Sequence, residues 1–164
     1  MQIISENYKL AAAILAGGKS RRMGQNKILL SYQSKPIIIN TIEILSDLFS
    51  EIVLSVNKYQ SFIDTISNEK IWENWLPSSK QTENYWELIF PCQKNILVKC
   101  IEDICPDKGS IGGIYTVLSN CNSNSALVVA ADMPFITKEI LNYMKNCFVP
   151  DKIVVPIINN FYEP

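Results

Sequence analysis

Five short apolar runs place the strongest limit on how this chain can fold. They occupy residues 10–16, 51–56, 94–101, 125–131 and 152–158. We read none of them as alternating apolar with polar residues, as a strand with one solvent-facing side would. Continuous apolar runs of this length are typical of strands that are buried on both faces of a parallel sheet. The pattern therefore predicts five strands covered by helices on both sides.

Segments with helical spacing separate these runs. Helices are predicted at residues 37–49, 60–66, 114–118 and 138–147. Three glycines before the third helix are predicted to interrupt the regular structure there. Pro36 suits the start of the first helix, and Thr137 suits the N-cap of the last. Strands that alternate with helices predict an α/β fold with a mostly parallel sheet. The length of 164 residues suits one domain with its own core.

Glycine or polar residues follow four of the predicted strands. The first strand ends at Gly17 and Gly18, the second at Asn57, the third at Asp103 and the fourth at Asp132. Ligands of parallel α/β sheets bind outside the carboxyl ends of the strands. One strand end therefore offers backbone amides, and two of the others offer carboxylates.

A glycine-basic loop, defined here as residues 15–27, spans the end of the first strand. Its adjacent glycines let the backbone approach a ligand closely, and Arg21, Arg22 and Lys27 add cations that could bind a polyphosphate. The loop has neither the P-loop spacing nor the GxGxxG spacing. On composition alone, an ordinary glycine turn beside a solvated basic face explains it equally well.

Charge and residue usage exclude several kinds of function. The chain has 15 basic and 16 acidic side chains, and this balance gives no general attraction to nucleic acid or to an anionic membrane. The absence of histidine excludes Ser-His-Asp triads and histidine bases. No apolar stretch reaches the ~18 residues that a membrane span needs. Five cysteines without a CxxC pair favour free thiols, and hence a cytoplasmic protein.

Residues 68–93 fit the alternation of strands and helices poorly. This segment contains all three tryptophans and two prolines. We interpret it as an insertion between the second and third strands. A helix and a hairpin that cover one edge of the core are the favoured interpretation of its structure, and a partner-binding surface is the alternative.

The sequence LAGGKSRRMGQNK at residues 15–27 resembles the signature loop of the molybdenum cofactor guanylyltransferases, the MobA-like family of nucleotidyltransferases. Similar motifs recur as KGSIGGI at residues 108–114 and ADMPF at residues 131–135. The resemblance covers nearly all of residues 1–164 and implies a single three-layer, Rossmann-like nucleotidyltransferase domain. It also implies that the chain stops before the family's usual C-terminus. Three residues depart from the family pattern: Asn26, Ser110 and Gly112.

The resemblance implies transfer of GMP from GTP to the phosphate of the molybdenum pterin cofactor, Mo-molybdopterin, with release of pyrophosphate. The attacking phosphate is already an anion, so a chain without histidine is consistent with this chemistry. Transient contacts with molybdenum-cofactor synthesis proteins or apo-molybdoenzymes are also implied. Two alternatives stay open. One is another nucleotidyltransferase of the superfamily, such as a CTP-dependent enzyme that acts on molybdopterin or on a sugar or polyol phosphate, and the other is an inactive nucleotide-binding fragment.

Individual residues take roles from the resemblance. Asp132 would bind Mg²⁺, with Mn²⁺ as the alternative ion, and Lys27 and Arg22 would act on the phosphates as catalytic cations. Gly17 favours guanine, because related cytidylyltransferases tend to have alanine at this position. The residues implied to contact the nucleotide are Leu15, Ala16, Gly17, Gly18, Lys27, Asn57, Asp103 and Asp132.

Overall fold

The computed structural model describes residues 9–17, 27–92, 94–158 and 161–162. The strands are β1 (Leu10–Leu15), β2 (Ser31–Tyr32), β3 (Lys35–Pro36), β4 (Ile52–Val56), β5 (Ser78–Gln81), β6 (Trp86–Pro91), β7 (Asn95–Glu102), β8 (Ser125–Ala130), β9 (Ile157–Ile158) and β10 (Phe161–Tyr162). The helices are α1 (Ile37–Leu48), α2 (Tyr59–Ser67), α3 (Ser110–Asn120) and α4 (Lys138–Asn146). None of the helices within these described ranges has both the length and the apolarity that a bilayer crossing requires.

Six strands form the central sheet in the order β5-β6-β7-β4-β1-β8. The strands β7, β4, β1 and β8 run parallel, whereas β5 and β6 add an antiparallel hairpin at one edge. The predicted α/β fold with a mostly parallel sheet is therefore confirmed. The expectation of continuous burial is wrong for β7, whose first half alternates exposed with buried residues. The reason is that the core under α3 reaches β7 only near its end, at Ile101.

Helices cover both faces of the sheet and make three layers. Buried residues of α1, α2 and α4 pack with one face into the larger core, in which Ile42, Phe62 and Leu141 are almost fully buried. On the other face α3 packs through Val117 against Ala13, Val53 and Ile101. Burial of this apolar surface is the main favourable term that holds the layers together.

Residues 68–92 form a short helical turn and a hairpin at the sheet edge, which agrees with the favoured interpretation of this segment. A 3₁₀ turn at Lys70–Trp72 buries Trp72 in the larger core. The hairpin of β5 and β6 follows, and Trp86 stacks on Tyr59 of α2 with ring centroids 4.1 Å apart. Trp75 is also partly buried against the larger core, so all three tryptophans serve packing. That the segment is an insertion stays a prediction.

Two predicted elements differ from the structure. Residues 152–158 do not form a fifth strand of the sheet: only Ile157–Ile158 is extended into a pair, with β10, and Ile153 is 93% exposed. An apolar run alone does not supply a neighbouring strand, and Pro156 has no N–H to donate to one. The third helix begins at Ser110 rather than at residue 114 and so includes Gly112 and Gly113. These glycines were predicted to interrupt the regular structure before the helix. They lie inside it instead, where neighbouring atoms leave little room for a side chain.

Candidate active site

The strand pairing aligns the carboxyl ends of the four parallel strands. Leu15 of β1 pairs with Ser55 of β4 on one side and with Ala130 of β8 on the other. Ser55 in turn pairs with Ile101 of β7. These four residues therefore stand at one level of the sheet, and whatever follows each of them meets at the same edge.

The four residues predicted at the strand ends lie at the same distance along the chain beyond these aligned residues. Gly17, Asn57, Asp103 and Asp132 each lie two residues beyond an aligned strand residue. Across the edge they stand in the order Asp103, Asn57, Gly17, Asp132. With strands 4.7–4.9 Å apart, the outer two strand ends are separated by about 14 Å. The edge thus presents a row of polar groups, with one carboxylate at each end.

Gly17 and Asn57 are in close contact at the centre of this row. A Cβ added at Gly17 would lie 2.8 Å from the Asn57 Oδ1 atom, closer than such atoms can approach. The Asn57 amide therefore occupies space that is open only because Gly17 has no side chain. Both residues are exposed, so a ligand can reach the amide and the adjacent backbone.

Leu15 and Ala16 contribute mainly to the fold. The Leu15 side chain packs against the core under α3. The Ala16 N–H donates to the Ser55 carbonyl at 2.9 Å, and the Leu15 carbonyl accepts from the Ala131 N–H at 3.1 Å. These two backbone groups are engaged by neighbouring strands. Their predicted contact with a nucleotide stays a prediction.

Asp103 anchors the connection that leads into α3. Its Oδ1 atom accepts from the Cys105 N–H at 2.9 Å and from the Thr116 hydroxyl at 3.0 Å. The Thr116 oxygen also accepts from the Ile104 N–H at 3.0 Å. The sequence resemblance implied only a nucleotide contact for Asp103 and did not anticipate this anchoring role. A nucleoside contact by Asp103 stays a prediction.

Glu102 has a structural role that the sequence did not reveal. Its carboxylate accepts from the Tyr59 N–H at 2.9 Å, and the Lys58 ammonium lies 3.4 Å away. Glu102 thus accepts a hydrogen bond from the first N–H group of α2. The N-cap residue of this helix supplies no side-chain hydrogen bond of its own. A carboxylate at this helix end is favoured by the unpaired N–H groups and the helix dipole. Phosphates are accordingly expected elsewhere along the edge.

Asp132 lies half-buried in the turn that follows β8. Among the residues that the structure describes, no group of three or more Asp, Glu, Cys or His side chains could hold a metal ion. A single carboxylate still suits Mg²⁺, which is commonly held by one or two carboxylates together with water and substrate phosphates. The residues present therefore fit a metal that binds with the nucleotide.

Part of the glycine-basic loop lies outside the described residues. Gly18 and Arg22 fall in this part, as does the side chain of Lys27, whose backbone opens the 3₁₀ turn Lys27–Leu29. The roles of these three residues stay predictions.

The buried cysteine thiols do not suit nucleophilic chemistry. All five are free thiols. Burial raises the pKa of the Cys100 thiol to about 12 and that of the Cys92 thiol to about 11, and the carboxylates of Glu102 and Glu43 add to the respective shifts. Both thiols are therefore protonated at neutral pH and are poor nucleophiles.

The fold and the strand ends define an α/β protein whose candidate ligand site lies at the carboxyl edge of a parallel sheet. The sequence of the chain then assigns the family. The model of the MobA-like NTP transferase domain matches residues 12–164, and the chain belongs to this family.

Relatives with assigned names match over almost the whole chain. A protein of Natranaerobius thermophilus named "Probable molybdenum cofactor guanylyltransferase" is 31% identical over 157 residues, which are 94% of this chain and 63% of the relative. A protein of Clostridium perfringens strain SM101 with the same name is 34% identical over 157 residues, at 95% and 63% coverage. This chain therefore spans less than two thirds of the length of these relatives.

Solved structures show the same fold. The crystal structure of Aq1419 from Aquifex aeolicus VF5 has a TM-score of 0.56 and 22% identity, and the match covers 88% of this chain and 62% of the other. Rv0371c from Mycobacterium tuberculosis H37Rv gives a TM-score of 0.54 at 15% identity, with 84% and 60% coverage. At these identities the similarity concerns the fold alone.

Proposed function

We propose that this chain carries the nucleotide site of an enzyme that transfers GMP from GTP to the phosphate of Mo-molybdopterin. The observation that carries the proposal is the shared level of Gly17, Asn57, Asp103 and Asp132 at the carboxyl edge of the sheet. The names of the relatives supply the substrates. We include in the proposal a cytoplasmic location and transient contacts with molybdenum-cofactor synthesis proteins or apo-molybdoenzymes.

The reaction needs positioning and charge more than proton transfer. An oxygen of the acceptor phosphate forms a bond to the α-phosphorus of GTP. The bond from that phosphorus to the α,β-bridging oxygen breaks, and pyrophosphate leaves with this oxygen. The acceptor oxygen is already anionic, so no general base is required. Lys27 and Arg22 would hold the triphosphate, while the backbone at Gly17 would approach it closely.

Asp132 is the residue that would hold Mg²⁺, or Mn²⁺ in its place. When bound, the ion would neutralise negative charge on the phosphates. The position of Asp132 beside β1, one strand from Gly17, suits a carboxylate that acts at the phosphates. The base of GTP would then lie on the other side of Gly17, towards Asn57.

Selection of guanine would depend on Gly17. Alanine at this position would displace the Asn57 Oδ1 atom, because the added Cβ would lie only 2.8 Å from it. The site with glycine therefore presents the Asn57 amide differently from a site with alanine. One added methyl group typically changes specificity by only a few kcal/mol.

Pyrophosphate release with Mo-molybdopterin as acceptor tests the proposal. GTP should be used in preference to CTP, and Asp132→Asn should lower the rate by about 10²-fold or more through loss of one charge at the metal. Asp64→Asn, on the exposed surface of α2, makes the same chemical change and should leave the rate unaltered.

Three results would contradict parts of the proposal. Near-normal turnover by Asp132→Asn with Mg²⁺ would remove Asp132 from the site. Preference for CTP would indicate a cytidylyltransferase. Tight GTP binding without any transfer would indicate a nucleotide-binding module.

A further inference from the structure

An exposed pair of aromatic rings lies at the Asp132 end of the row. Tyr32 of β2 is 49% exposed, and Phe135, in the turn before α4, is 75% exposed. Their ring centroids are 5.9 Å apart, and the ring planes meet at 74°. Two rings at this angle form an open corner, in which a planar molecule can lie on one face and meet the edge of the other ring.

The chain places this corner beside the proposed phosphate end of the site. Phe135 follows Asp132 by three residues, which span at most about 10 Å. Tyr32 follows the 3₁₀ turn at Lys27–Leu29 that ends the glycine-basic loop. In the sheet, β1 separates β8 from β4, so the corner lies at the end of the row that is farther from Asn57. A molecule bound there would sit on the opposite side of the phosphates from the guanine.

Packing within the chain accounts for the neighbour of Phe135 but not for Phe135. Ile136 is 8% exposed and joins the larger core, whereas the adjacent ring points outward. Met133, in the same turn, is also exposed and adds an adaptable apolar side chain. Met133 and Phe135 thus present two large apolar side chains within three residues of Asp132, and the ring of Tyr32 lies against Phe135.

We propose that Tyr32 and Phe135 form a stacking platform for the second substrate, a flat heteroaromatic ring that bears a phosphate ester. This inference rests on the proposed function, in which the acceptor is a pterin with one phosphate. The ring would lie in the corner, and its phosphate would extend towards Asp132. The Tyr32 hydroxyl accepts weakly from the Gln33 side-chain amide at 3.4 Å, so its own proton can be donated to a ring nitrogen of the substrate.

Binding of 6-hydroxymethylpterin phosphate, followed by pterin fluorescence, tests the platform directly. Phe135→Leu and Tyr32→Leu keep apolar bulk but remove the π face, and each should weaken binding about fivefold or more. Phe135→Trp keeps a π face and should bind within about twofold of the unmodified chain. Tyr143→Leu removes an equally exposed ring from α4 and is the matched control, with no expected change.

The same variants distinguish the platform from the proposed function. GTP affinity should be unchanged in all of them, and ethyl phosphate, which has no ring, should bind equally weakly to all. Equal pterin phosphate affinity in Phe135→Leu, Tyr32→Leu and the unmodified chain would overturn the platform, whether or not GMP is transferred. If those two variants lose pterin phosphate affinity while the unmodified chain transfers no GMP to Mo-molybdopterin, the platform stands and the proposed reaction fails.

Discussion

Gly17→Ala is a sharp test of how the loop after β1 positions Asn57. The backbone at Gly17 does not have a positive φ, so alanine can adopt the same conformation. The conflict is with one side-chain atom: the new Cβ would lie 2.8 Å from the Asn57 Oδ1, while its distance of 3.6 Å from the Asn57 backbone nitrogen is ordinary contact. The amide of Asn57 must therefore move, and the backbone need not.

The two effects of this substitution should differ in size. The Asn57 side chain is exposed and can rotate, so the free energy of unfolding should change by about 0.5 kcal/mol or less. We expect one hydrogen bond between the Asn57 amide and the bound GTP, and its loss should weaken binding by a net amount of about 0.5–1.5 kcal/mol. That loss corresponds to a dissociation constant about two to thirteen times larger.

A double-mutant cycle measures whether alanine acts through Asn57. Calorimetric titration of GTP-Mg²⁺ into the unmodified chain, Gly17→Ala, Asn57→Ala and the double variant gives the four free energies of binding. Urea unfolding of the same four proteins gives their stabilities. If Asn57 carries the whole effect, the double variant binds GTP as weakly as Asn57→Ala alone.

Two outcomes would refute this reasoning. Additive losses in the double variant would show that the new methyl group obstructs the ligand itself. A loss of more than about 2 kcal/mol of stability in Gly17→Ala would show that the backbone gives way instead of the side chain.

Two further predictions concern stability. Gly112→Ala should destabilise the fold by about 1–3 kcal/mol in urea unfolding, although alanine favours helices, because its Cβ would lie 2.5 Å from the Cys105 carbonyl oxygen; a stabilised variant would contradict this. Lys94 and Lys138 hydrogen-bond the Asp47 carboxylate and lower its pKa. This contribution is present above the unfolded-chain pKa of about 3.9 and is lost as the pH falls through the lower folded value. The melting-temperature gap between the unmodified chain and Asp47→Asn should therefore shrink below pH 4, and a pH-independent gap would argue against it.

Most of the architecture could be predicted from the sequence, and the predictions that were wrong share one cause. Apolar runs next to helical segments predict the parallel sheet because burial on both faces leaves its mark within each strand. The failures are at residues 152–158, of which only Ile157–Ile158 pairs with another strand and none joins the central sheet, and in β7, where the helix cover is incomplete. Both depend on neighbours that a local pattern does not specify. The same holds for α3, since its glycines signalled a break but serve close packing.

The residues at the strand ends can be identified from the amino-acid order, because each of them follows its own strand directly along the chain. What those residues contact depends on how the strands and helices pack. Glu102 caps α2 from a strand 43 residues away, and Asp103 anchors α3 through Thr116. Tyr32 and Phe135 meet across most of the chain's length. Such pairs come together only when strand order and register are fixed, since these place distant segments side by side through packing that no local spacing encodes.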